Sequence, residues 1–178
     1  MPNSILGTLP AQAPRNCDLG GLAYLDPKDV TPEYLHVRDE KASGTNGGTP
    51  TGAAWNDRTL NTVVGNTIRG ASLASNQVTL PPGIYEFTAR AAAYGGVGAV
   101  NLALYNVTDS INILTGDSGG GTTPQVFSLC DGRFTLTAPK VVKLRQWFAS
   151  SVANGLGSAG SIAGAAEVYA SLIIRKVA

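Results

Sequence analysis

Apolar and polar positions alternate with a period of two through most of this chain. Such a period marks extended strands, because successive side chains of a strand point to opposite faces. After the turn Pro81-Pro82-Gly83, Ile84 and Glu86 fall on one face, and Tyr85, Phe87, Ala89 and Ala91 on the other. Proline fixes φ and glycine accepts positive φ, which suits that turn. Gly95, Gly96 and Gly98 then break the run, and Val100, Leu102 and Leu104 resume it against Asn101, Ala103 and Tyr105. The stretch 80–105 is thus predicted to be one long antiparallel hairpin with a glycine-rich tip, around which the rest of the chain is arranged.

The same period predicts further strands. A first lies at 35–40. A short irregular strand pair anchored by Trp55 follows at 53–61, with Leu60 and Val63 pointing inward. Others fall at 76–80, 110–116 and 125–138, the last with a bulge at Asp131-Gly132. In 141–151, Val142, Leu144, Gln146 and Phe148 share a face. In 165–177, Val168, Ala170, Leu172 and Ile174 alternate with Tyr169, Ser171, Ile173 and Arg175. Segments 42–52, 116–124 and 154–164 read as loops from their glycine, serine and threonine content. About eight to ten short antiparallel strands without a helical period predict an all-β jelly-roll sandwich.

Residues 1–34 break this rhythm. Pro2, Pro10, Pro14, Pro27 and Pro32 punctuate them, and Ile5, Leu6, Leu9, Leu19, Leu22, Tyr24 and Leu25 stand out as apolar anchors. Fully stretched, the segment reaches on the order of 100 Å. It is expected to be an extended attachment arm that docks on another subunit, ahead of a jelly-roll domain at 35–178. The final strand is apolar on both faces, which predicts that one face meets the domain's own core and the other a second copy. Tyr169, Ile173 and Tyr105 are the candidates for that interface.

Composition narrows the function. Charged residues are 14% and the net charge is +1, against about 25% charged in ordinary soluble domains. Neither nucleic acid nor an acidic membrane is attracted by such a chain. No apolar run approaches the ~20 residues of a membrane span, and the N-terminus lacks the pattern of a signal peptide. The Asn106-Val107-Thr108 sequon therefore carries no weight. Cys17 and Cys130 are too few for a disulfide framework and not spaced for a metal, so Cys130 is expected to be a small buried hydrophobe.

Candidate chemistry is sparse. Gly116-Asp117-Ser118-Gly119-Gly120 resembles the segment around the nucleophile of chymotrypsin-like serine proteases. A serine nucleophile needs a histidine base within reach, and the one histidine, His36, sits in an alternating strand without that family's surrounding motif. Asp39 and Glu40 are adjacent and so point to opposite faces. Glu86 and Glu167 read as solvated strand positions. The glycine clusters lack the Lys-Ser/Thr of a phosphate loop. Trp55 and Trp147 suit sugar stacking in principle, but core or interface packing is the expectation. No catalytic residue, metal ligand or cofactor site is expected, and the protein is expected not to be an enzyme.

Three stretches carry a resemblance. Asp39-Glu40-Lys41 is followed by Ser43-Gly44-Thr45, Gly47-Gly48, Trp55 and Arg58-Thr59-Leu60-Asn61-Thr62; then come Leu80-Pro81-Pro82-Gly83 with Tyr85, and Leu104-Tyr105-Asn106 with Thr108-Asp109. This pattern resembles a recurring domain of tailed-bacteriophage virion proteins, which looks like the trimeric tumour-necrosis-factor/complement-type jelly roll. The chain departs from it at Trp55-Asn56-Asp57-Arg58, where Trp-Arg-Thr-Arg is commoner and a surface turn is expected, and at Pro82, where alanine is usual. Beyond Leu114 only the strand pattern continues the likeness. The resemblance implies a homotrimer located in the virion, a knob or spike that decorates or cements the capsid. Residues 1–34 would then bind the major capsid protein or another virion subunit. The alternative it implies is a tail-fibre head that binds a host surface glycan or protein through loops 42–52, 94–99, 116–124 and 154–164.

Overall fold

The computed structural model describes residues 33–121 and 125–177, and over these the alternating pattern becomes strands and no helix. In chain order they are β1 (Glu33–Lys41), β2 (Ala54–Asp57), β3 (Thr62–Asn66), β4 (Ser72–Ala74), β5 (Gln77–Leu80), β6 (Gly83–Ala93), β7 (Gly98–Asn106), β8 (Ile111–Thr115), β9 (Gly119–Gly121), β10 (Val126–Leu136), β11 (Lys140–Phe148) and β12 (Glu167–Lys176). A five-stranded sheet has the order β10-β6-β12-β1-β3. A seven-stranded sheet has the order β4-β5-β11-β7-β8, with β2 pairing β11 and β9 pairing β7. All pairings are antiparallel. The jelly-roll sandwich expected from the pattern is the fold observed. The proposed arm, with Ile5, Leu6, Leu9, Leu19, Leu22, Tyr24 and Leu25, lies outside the described residues.

The long hairpin does not form. β6 pairs with β10 and β12, whereas β7 pairs with β11, β8 and β9 in the other sheet. The faces follow the pattern: Tyr85, Phe87, Ala89 and Ala91 are buried, as are Val100, Leu102 and Leu104. Alternation reports which side of a strand is apolar, not which strand lies beside it. The four residues between β6 and β7 span up to ~14 Å, enough to cross the ~10 Å between packed sheets. They cross, and the two apolar faces meet through the core instead of lying side by side.

That core joins Leu35, Val37, Tyr85, Phe87, Leu172 and Ile174 from one sheet to Val78, Leu80, Leu102, Leu104, Val142 and Leu144 from the other. Each such side chain contributes roughly 1.5–3 kcal/mol when fully buried. Phe134 stacks on Tyr85 at 5.3 Å and meets Phe87 edge-on at 5.8 Å. Cys130 is buried among them, as expected. A second cluster, Ala93, Val97, Val100 and Phe148, closes one end of the sandwich.

Other details differ from expectation. Segment 53–61 is no strand pair: β2 joins β11 in one sheet, and β3 joins β1 in the other. Leu60 is buried, but Val63 is half exposed, because β3 is an edge strand whose register shifts against β1. β10 has no bulge; it runs in unbroken register along β6, and Gly132 holds φ +151° while leaving room for Leu114. Loop 116–124 contains the short strand β9.

The expected surface turn at 55–58 is the largest departure. Arg58 is 1% exposed and lies between the sheets. Its Nη2 donates to Leu156 O at 2.9 Å and Tyr169 O at 3.1 Å, and its Nη1 to Gln146 Oε1 at 3.4 Å and Ala92 O at 3.5 Å. Asp39, also buried, faces it at 3.8 Å. Burial pulls the Arg58 guanidinium down to about 10, against the opposing influence of Asp39. One cation thereby ties β6, β11, β12 and the loop at Leu156 together.

Candidate functional site

Three surfaces collect the residues singled out by the sequence. The first is the end of the sandwich where β1 finishes and β12 begins. Here Gly47 N donates to Gly157 O, Leu156 N to Gly48 O, Tyr94 N to Gly155 O and Ser150 N to Val97 O. The Glu167 carboxylate accepts Gly44 N, Gly160 N and Ser161 N at 2.8–3.1 Å, and these donors hold it below the usual carboxylate range. The candidate loops around 42–52, 94–97 and 154–164 are therefore laced to one another. Tyr169 belongs to this lacing. It is 2% exposed, its hydroxyl donates to Thr45 O at 2.7 Å, and its ring lies so close to Gly157 that a Cβ there would sit 2.1 Å away. Tyr169 is thus covered by its own chain and is not free for a partner. In the register with β1, Asp39 faces Ala170 and Glu40 faces Val168, so Tyr169 is the extra residue of a bulge in β12.

The second surface is the outer face of the five-stranded sheet. Glu86, Thr88, Asp131, Arg133, Ile173 and Arg175 line an open cleft of about 480 Å³ there. Glu86 sits beside Arg175, eight residues from Glu167 along β12, so the two glutamates are about 27 Å apart and form no site. Among the described residues no ion pair engages Glu86, Asp131, Arg133 or Arg175. Both edges of this sheet expose apolar side chains: Phe127 (48%) and Leu129 (49%) on β10, Val63 (48%) and Val64 (49%) on β3. His36 lies on this face against Ser171 Oγ at 3.0 Å and accepts Arg38 Nε at 3.2 Å. Its partial burial, with Arg38 and Arg90 nearby, holds its pKa below the usual value.

The third surface is the outer face of the seven-stranded sheet. Lys143, Arg145 and Trp147 point outward from β11, between the buried Leu144, Gln146 and Phe148. The register sets Trp55 opposite Trp147, and Tyr105 opposite Lys143. The Arg145 guanidinium lies between Tyr105 and Trp55, 3.9 and 4.7 Å from the ring centroids, and its Nε donates to Asn112 Oδ1 at 2.8 Å. Trp55 and Trp147 meet edge to face at 6.0 Å. Lys143 sits 5.4 Å from the Tyr105 centroid and pairs with Asp57 at 2.6 Å. Tyr105 and Ile173, both named as interface candidates, are thus on opposite outer faces. Ser118 belongs to this side too: its Oγ accepts Asn101 Nδ2 at 3.1 Å. His36 is on the other sheet, so the structure brings no base to Ser118.

No family model and no curated protein matches the sequence. Solved structures do match. The globular domain of zebrafish complement 1qA superposes with a TM-score of 0.52 at 14% identity, covering 83% of this chain and 98% of that one. This chain has the C1q/TNF-type jelly-roll fold. Murine APRIL at pH 5.0 gives a TM-score of 0.56 at 9% identity over 83% of this chain and all of its own. An Eiger TNF structure from S. frugiperda gives 0.55 at 10% identity, covering 84% and 94%. At these identities the likeness is one of fold.

Arg58 and Arg145 are the residues that sequence reasoning passed over. An arginine before Thr59-Leu60-Asn61 reads as solvated, and nothing local reveals the four acceptors that surround it. Arg145 is legible in the sequence only as one outward position between the inward Leu144 and Gln146.

Proposed function

We propose that the protein is a non-enzymatic, homotrimeric knob that decorates or cements the capsid of a tailed-phage virion, with residues 1–34 as its attachment arm. The observation that carries the assembly is the pair of apolar edges on the five-stranded sheet. A closed ring needs two different patches on each copy, each complementary to the other. Phe127 and Leu129 on one edge and Val63 and Val64 on the other are such patches. Asp131 and Arg133 on the β10 edge, with Glu86 and Arg175 on the strands beside it, add charges of both signs to this face. The virion assignment is supported by the pattern at 38–61 and 80–87. That pattern contains Asp39, Arg58 and Asn61, which hold the fold together, so it speaks for the scaffold more than for its location.

Immunogold labelling of intact virions with an antibody to 35–178 tests the location. Label over the heads is the expected result. Label at the tail end would transfer the protein to receptor binding, and bare particles would end both readings. Deleting residues 1–34 is expected to leave a folded trimer that no longer attaches to shells.

A further inference from the structure

We propose that the outer face of the seven-stranded sheet binds a carboxylate-bearing sugar, with Arg145 as the anion anchor and Trp55 and Trp147 as the stacking surface. The proposal does not depend on where in a virion, or on what particle, the protein sits.

The argument starts from charge. Arg145 is held between two aromatic rings and by one hydrogen bond from its Nε. No other hydrogen bond and no ion pair engages its guanidinium among the described residues. Both terminal nitrogens thus keep their N–H donors, in the planar fork that matches a carboxylate bidentately. Asp57, opposite Arg145 in register, is the acidic group placed to neutralise it, but Lys143 takes it at 2.6 Å. The face keeps one unopposed, oriented cation.

The surroundings specify more than an anion. Ring packing fixes the guanidinium, so little rotamer freedom is lost when a ligand arrives. Trp55 and Tyr105 flank the fork, Trp147 extends the aromatic surface beyond Trp55, and all three are only partly buried. The C–H face of a pyranose stacks on such rings, and a carboxylate on that pyranose reaches the arginine. A simple inorganic anion would need no aromatic flank, and an apolar peptide would need no fork. The face also lies on the sheet opposite the apolar edges proposed for self-assembly, so that assembly would leave it open.

Both tryptophans of the chain are in this surface, so intrinsic fluorescence reports on it directly. The full chain is titrated with trigalacturonate and with sialyllactose, and with neutral lactose as control. A saturable fluorescence change with at least one acidic probe, and a response to lactose at least tenfold weaker, are expected. Arg145→Gln should weaken the acidic response about tenfold or more, the size of one lost charge-assisted hydrogen-bond pair. Arg145→Lys should recover only part of it, because an ammonium lacks the fork. Far-ultraviolet circular dichroism checks that both variants remain folded. Failure of both acidic probes to saturate would overturn the proposal, as would equal binding of lactose or an unchanged affinity in Arg145→Gln.

Discussion

At the scale of single residues, stability is concentrated at one cation. Arg58→Ala would leave the buried Asp39 with Lys41 as its one remaining cation, at 3.4 Å, and would strip donors from Leu156 O, Tyr169 O and Ala92 O. Leaving a buried charge with no partner costs about 3–5 kcal/mol; with Lys41 retained the loss should fall at the lower end, about 3 kcal/mol. A urea titration should show the midpoint falling accordingly, with the slope unchanged. Glu167 gives a pH-dependent counterpart. Its folded-state pKa lies below the ordinary value because three backbone N–H groups bind the ionised form. The native state therefore binds its proton less readily than the unfolded chain does. The stability it contributes is present in full above the ordinary carboxylate pKa and is lost as pH falls through the folded value. Glu167→Gln should be less stable than the parent at pH 7, and the gap between them should close in acid denaturation curves. Neither role was legible beforehand. Arg58 and Glu167 act through acceptors and donors that are remote in sequence, and no local pattern encodes those.

At the scale of elements, what the period of two could say, it said. β6, β7 and β11 bury the alternate residues it named, and β12 buries Ala170, Leu172 and Ile174 but also Tyr169 and Ser171 from its other face. It could not say which strand neighbours which, so β6 and β7 were joined when they belong to different sheets. Nor could it distinguish a glycine that breaks a strand from one that makes room inside it. Gly132 is of the second kind: a Cβ there would meet Leu114 Cδ1 at 2.6 Å, at a φ of +151°. Gly132→Ala should destabilise the sandwich by about 1–3 kcal/mol, the usual cost of overpacking, read as a lowered Tm. The loss should be eased when Leu114→Ala is added, because the two side chains compete for one space.

At the scale of the whole molecule, the two apolar edges of the five-stranded sheet make a prediction that separates a ring from a two-fold dimer. Val64→Asp spoils one edge and Leu129→Asp the other, and each variant alone should run as a monomer in size-exclusion chromatography with light scattering. Mixed, they retain one sound junction, the β10 edge of the first against the β3 edge of the second. A one-to-one heterodimer should form, and no larger species. Recovery of a trimer in either single variant would count against the edges as the joint. The two-sided apolarity of the last strand points to Tyr169, Ile173 and Tyr105 as interface residues, three positions that do not form one patch. The pattern has no way to show that a neighbouring loop covers Tyr169, or that Tyr105 faces away from Ile173.

The pairing of β1 with β12 bears on mechanics. Glu33 stands opposite Lys176, and the two strands run antiparallel through nine register pairs. A force that draws Glu33 and Lys176 apart would open these rungs singly, like a zip, and meet little resistance. A force between Glu33 and the laced loops at the far end acts along the strand and loads the rungs together in shear. A particle tethered at Glu33 and tugged at those loops would be held in the strong direction, whereas handles placed at Glu33 and Lys176 would load the weak one.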